Sequence, residues 1–117
     1  MILIKAQCTG INPSIIKTYF LQDDIDEVIF FNTFNKINTK LERKIPINLD
    51  ESVWFYCGYL INQIRNGISI DQIKKDIIYI LSADKLMIGV KEFLTEIYFE
   101  IMIGTCFKTK LMVKNLF

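Results

Sequence analysis

The run from Asn48 to Gly67 constrains this chain most, because it carries a start signal, an apolar body and a stop signal for one helix. Asn48-Leu49-Asp50-Glu51 offers an N-cap with a Glu three positions on, the capping-box spacing that satisfies two orphaned backbone N–H groups reciprocally. Gly67 stands where a left-handed stop is expected, so the helix runs to about Asn66. Ser69 with Gln72 repeats the start signal. From there Ile70, Ile73, Ile77, Ile80 and Leu81 follow helical spacing, with Asp71, Lys74, Lys75 and Asp76 outside. A further helix is expected over Lys85 to Ile103, stopping at Gly104. It is apolar around most of its circumference, which places it near the centre of a bundle and sends Leu86, Met87, Ile88, Val90, Phe93, Leu94, Ile97 and Tyr98 into the core.

Upstream, Ile2 and Ile4 alternate with Leu3 and Lys5, the pattern of a short strand over Met1 to Cys8. Gly10, Asn12 and Pro13 punctuate the chain, and Pro13 suits the first turn of a helix covering roughly Pro13 to Leu21. Asp23 or Asp24 can cap the next helix, from about Ile25 to Asn35, although Val28 to Phe34 also has the composition of a strand. Lys36 to Ile47 dilutes the apolar pattern and is expected to be a connection. Thr105 to Phe117 is a terminal helix or a strand pairing with the N-terminus. The expected fold is mainly α: a compact bundle of five or six helices forming one domain over residues 1–117, with a short β element from the termini left open.

Composition supports a packed core. The 117 residues are 51% hydrophobic and 23% charged, and a chain this long buries enough area to fold without disulfides or metal. Cys8, Cys57 and Cys106 are odd in number and widely spaced, which fits reduced, buried thiols in a cytosol better than a secreted disulfide framework. The N-terminus lacks the charged-then-apolar order of a signal peptide. Val53 to Ile61 is too short to span a bilayer, and Lys91, Glu92, Glu96 and Glu100 interrupt Leu86 to Ile103. A soluble, cytoplasmic protein is expected, with no membrane partner.

Much chemistry is excluded. Without histidine the chain cannot build a Ser-His-Asp triad, a Cys-His dyad or an HExxH zinc site. It has no GxGxxG and no GxxxxGK[ST] phosphate cradle. Asp23-Asp24-Ile25-Asp26-Glu27 lacks the glycine at the sixth position and the glutamate at the twelfth position of a calcium loop. No enzyme, cofactor or metal site is expected. Fourteen Lys and Arg against thirteen Asp and Glu leave a charge of +1, and only Arg43 and Arg65 could form a bidentate fork, so nucleic acid is not an expected partner. The segment Gly67 to Ile77 has the look of the first helix of a helix-turn-helix, but the helix that would have to read the groove offers core residues.

What remains is sorted charge and crowded aromatics. Glu92, Glu96 and Glu100 fall at i, i+4 and i+8, one narrow face of the expected last helix. Asp23, Asp24, Asp26 and Glu27 form a second acidic group, while Lys108, Lys110 and Lys114 make a basic tail. The ordinary reading of the Glu stripe is a solvated helix edge paired with that tail. Trp54, Phe55, Tyr56 and Tyr59 crowd one helix and cannot all face one core stripe, which leaves Trp54 and Tyr59 as candidate interface anchors.

In this general character, over its full length, the chain resembles the small immunity proteins that accompany secreted bacterial toxins, including those of contact-dependent growth inhibition. The resemblance implies that it binds one cognate toxin domain, often a nuclease and expected to be basic, and occludes its active site with carboxylates standing in for substrate phosphates. The residues implied are Asp23, Asp24, Asp26, Glu27, Glu92, Glu96 and Glu100, with Trp54 and Tyr59 as anchors. The competing readings are a self-associating helical structural or regulatory protein acting through Trp54 and Tyr59, and a DNA-binding regulator acting through Arg43 and Lys44.

Overall fold

A computed structural model describes residues 1–9, 15–105, 107–114 and 116–117. In chain order the elements are strands β1 (Ile2–Cys8) and β2 (Ile15–Leu21), helices α1 (Asp24–Glu42), α2 (Leu49–Arg65) and α3 (Ile70–Asp76), and strands β3 (Glu96–Ile103) and β4 (Phe107–Lys114). Single 3-10 turns at Ile77–Tyr79, Ala83–Lys85 and Lys91–Phe93 fill the long passage from α3 to β3. The strands form one antiparallel sheet in the order β2-β1-β3-β4, so the N-terminal strand lies inside the sheet and pairs with a strand from the last quarter of the chain.

The period of two along each strand sorts the sheet into two faces. Ile2, Ile4, Ala6 and Cys8 of β1, Ile97, Phe99 and Ile101 of β3, and Leu111 and Val113 of β4 are buried on one face. All three helices pack on that face: α1 lies against β2, α2 against β1 and α3 against β4. Tyr19 of β2 meets Phe30 of α1 at 5.6 Å and Trp54 of α2 at 4.8 Å between ring centroids, both edge-on. Helix α1 packs against α2 at Gly58, where the Phe34 ring occupies the space a Cβ would need.

The local signals for α2 hold: Asn48 accepts from Glu51 N at 2.8 Å, Glu51 accepts from Asn48 N at 3.1 Å, and Gly67 takes φ +77° just past the helix. Ser69 caps α3 as expected, accepting from Gln72 N at 3.2 Å. Asp23 caps α1, accepting from Asp26 N at 2.9 Å.

The expected mainly α bundle of five or six helices is overturned: the protein is an α+β two-layer fold, with a four-stranded antiparallel sheet and three α-helices among the described residues. The expected helix over Lys85 to Ile103 is two short 3-10 turns followed by β3. Its final eight residues, Glu-Ile-Tyr-Phe-Glu-Ile-Met-Ile, are β-branched and aromatic at alternate positions, and pairing on both sides gives that run a better use than a helix would. Met87 and Ile88, expected in the core, are exposed at the turn before β3. The expected helix over Pro13 to Leu21 is replaced by β2 from Ile15 on, for the same compositional reason; residues 10–14 lie outside the described residues. The expected connection from Lys36 to Ile47 is helical as far as Glu42, because Phe30, Phe34, Ile37 and Leu41 continue one core-facing stripe through the polar stretch. The strand alternative for Val28 to Phe34 falls with it. The C-terminal segment is a strand, but it pairs with β3 and not with the N-terminus.

Candidate functional site

Among the described residues no helix covers the second face of the sheet, and the residues of that face line up in rows fixed by the register. Phe20, Leu3, Met102 and Lys108 form one row across β2, β1, β3 and β4. Thr18, Lys5, Glu100 and Lys110 form the next, and Ile16, Gln7, Tyr98 and Met112 the third. Glu96 and Lys114 close the face at one end. Leu3 and Met102 contribute the apolar part of a cavity of about 680 Å³, with Lys5, Lys108, Lys110 and Glu100 on its walls. Ile16 and Phe20 are half exposed at the β2 margin.

Electrostatics on this face follow from the same register. Lys5, Lys108, Lys110 and Lys114 stand against Glu96 and Glu100, with Glu100 opposite both Lys5 and Lys110. Among the described residues none of these lysines is within ion-pair distance of a carboxylate; the ion pairs lie elsewhere, Lys17 with Asp50 at 2.9 Å, Lys40 with Glu51 at 2.6 Å, and Arg65 with Glu27. The Tyr98 hydroxyl donates to Glu100 Oε1 at 3.3 Å. The face therefore offers apolar contact and unclosed charges of both signs, with lysines in excess.

The helical layer offers the opposite environment. Burial pushes the Cys8 thiol up to about 11, with Lys17 pulling the other way, and burial raises Cys57, Tyr19 and Tyr56 further. A nucleophilic cysteine needs a thiolate, so Cys8 and Cys57 are packing residues. Cys106 lies outside the described residues. Among the described residues no three Cys, Asp or Glu side chains converge to hold a metal ion, and no helix is long and apolar enough to cross a membrane.

The expected acidic and aromatic residues divide between sites. Glu96 and Glu100 sit on the open face, four residues apart on the strand's outward side with Tyr98 between them, rather than on a helix. Glu92 is exposed in the 3-10 turn before β3. Asp23 and Asp26 bond locally at the start of α1, Asp26 accepting from Gln22 N at 3.0 Å, and Glu27 pairs with Arg65 at the end of α2, so three of these four acids are engaged within the chain; Asp24 is exposed in the first turn. Trp54 is half-buried, stacked on Phe30 at 4.9 Å and donating from Nε1 to the Phe30 carbonyl at 3.1 Å. Tyr59 is half-buried too, and its hydroxyl accepts from Gln63 Nε2 at 3.2 Å.

The fold does bring Asp26 and Trp54 together: with Phe20 and Ile29 they line a cleft of about 240 Å³ between β2 and α1. It keeps the two acidic groups apart. Asp23 follows the end of β2 that pairs with Ile2, whereas Glu92 precedes the end of β3 that pairs with Cys8, about 20 Å away along the strands. Sequence reasoning missed Leu3, Lys5, Phe20, Met102 and Lys110 on the open face. A spacing of two was the available signal: Leu3 with Lys5, and Lys108 with Lys110, share a face only in strands. Comparison with protein families, with curated proteins and with solved structures finds no match.

Proposed function

We propose that this chain is a protein-binding immunity protein, acting in the cytoplasm, that neutralises a cognate secreted toxin domain by seating it on the open face of the sheet. One observation carries the reading: the sheet's uncovered face joins apolar side chains (Leu3, Met102, Phe20) to lysines and glutamates that are not closed on one another. Apolar contact supplies affinity there, and the unclosed charges set association rate and partner choice. The excess of lysine favours a toxin surface with acidic as well as apolar groups, a different sign from the basic partner that the acidic residues suggest. Glu96 and Glu100 count against a nucleic-acid strand on the same face, since each would meet phosphates.

The partner to test is a domain of any large secreted protein encoded by a neighbouring reading frame. Binding of nanomolar strength or tighter is expected, with growth rescued on co-expression. Lys110→Glu should slow association and Leu3→Asp should speed dissociation, while Lys74→Glu on the exposed side of α3 should do neither. Full affinity in both open-face variants, with the native circular dichroism spectrum, would remove the open face from the interface.

A further inference from the structure

The two margins of the sheet are built differently. Strand β4 carries Lys108, Lys110 and Lys114 along its free edge, the usual protection against pairing with another chain. Where β4 carries three lysines, strand β2 carries one among the described residues. Among the described residues its outer edge pairs with no strand, Ile16 and Phe20 are half exposed, and its one charge, Lys17, is tied to Asp50. Beside it, Ile25, Val28 and Ile29 leave the solvent side of α1 apolar, with Ile25 70% exposed.

The β2 sequence, Ile-Ile-Lys-Thr-Tyr-Phe-Leu, is complementary to itself when two copies run antiparallel about Thr18. All seven residues then find partners: Thr18 faces Thr18 of the second copy, Ile16 faces Phe20 twice, Lys17 faces Tyr19 twice, and Ile15 faces Leu21 twice. No like charges oppose one another. Moving the axis by one residue to Lys17 would place two lysines opposite each other, and moving it to Tyr19 would leave the Ile15 and Ile16 positions unpaired. Thr–Thr and aromatic–β-branched pairs are favourable cross-strand contacts.

We infer that a second copy of this chain occupies the β2 edge, joining two sheets into one of eight strands about a two-fold axis through Thr18. This goes beyond the docking of a toxin, because it uses the edge of the sheet: it takes Thr18 and Phe20 into the pairs between copies and leaves Leu3, Lys5, Glu100, Met102, Lys108 and Lys110 free in both.

Light scattering on the purified chain should give twice the chain mass at micromolar concentration. Paired strands hold facing Cα atoms about 4.5–5.5 Å apart, within the reach of a disulfide. In a Cys106→Ser background, Thr18→Cys should therefore form a covalent dimer on mild oxidation and Lys108→Cys on the far edge should not. Ile16→Asp, at an exposed position, should weaken the dimer about tenfold or more while keeping the native spectrum. A chain that stays monomeric, or a dimer that Ile16→Asp leaves intact and Thr18→Cys does not cross-link, overturns the inference. Lys110→Glu, at the opposite edge of the sheet, should keep the dimer whatever it does to toxin binding, which separates this outcome from failure of the open-face reading.

Discussion

Gly58 is the residue on which the helical layer turns. A Cβ built there would lie 2.1 Å from the Phe34 ring, and that ring is stacked on Phe55 at 5.7 Å, so it has little room to withdraw. The position demands glycine for close approach and not for backbone freedom. Gly58→Ala should force α1 away from α2 and lower stability by about 1–3 kcal/mol, the usual effect of overpacking a core. Urea unfolding checks this: a lower midpoint at unchanged slope is expected, and an unchanged midpoint would mean that the helices tolerate separation. At this scale the sequence was legible where a residue acts on its own neighbours. Asp23, Asn48, Ser69 and Gly67 cap or stop helices through bonds spanning three or four residues. Trp54 was legible only in part: an aromatic not wholly in the core was foreseeable, but its bond to a carbonyl 24 positions away was not.

At the scale of elements, the misreading of β3 as a helix has one cause. A spacing of four fits both a helix, at 3.6 residues per turn, and a strand, at two. Glu96 and Glu100 satisfy either, so their periodicity could not choose between a helix face and a strand face. The choice is made by pairing: β3 finds β1 on one side and β4 on the other, and its Ile97, Phe99 and Ile101 enter the core that a central helix was expected to fill. Helix α2 is the contrasting case, because its start is closed by a capping box whose glutamate also holds Lys40 of α1 at 2.6 Å. Asn48→Ala should remove the side-chain acceptor for Glu51 N–H and cost about 1 kcal/mol. A thermal melt followed by far-UV circular dichroism should show the loss, and Asn48→Asp, which keeps the acceptor, should restore most of it. Equal losses in both variants would show that the cap contributes little.

For the whole molecule, the decisive contact is the one between the two ends of the described chain. Ile2 pairs with Ile103 and Cys8 with Ile97, so the central strand pair closes a loop of about a hundred residues, at an entropic cost of about 4 kcal/mol beyond the constant term. Nothing local announces such a pairing, which is why the helices were legible in sequence and the sheet order was not. The same topology makes the inner strand dependent on the last part of the chain. Without β3 and β4, Ile2, Ile4, Ala6 and Cys8 keep only β2 beside them, and the buried side chains of Ile97, Phe99, Ile101, Leu111 and Val113 are removed from the core. A chain ending at Val90 should therefore keep part of its helix content but lose the cooperative urea transition and bind a hydrophobic dye, since two strands under three helices leave one side of the core open. A sharp unfolding transition in that truncated chain would show instead that β1, β2 and the helices form a stable unit to which the last hairpin is added, and the open face would then rest on a separable half of the sheet.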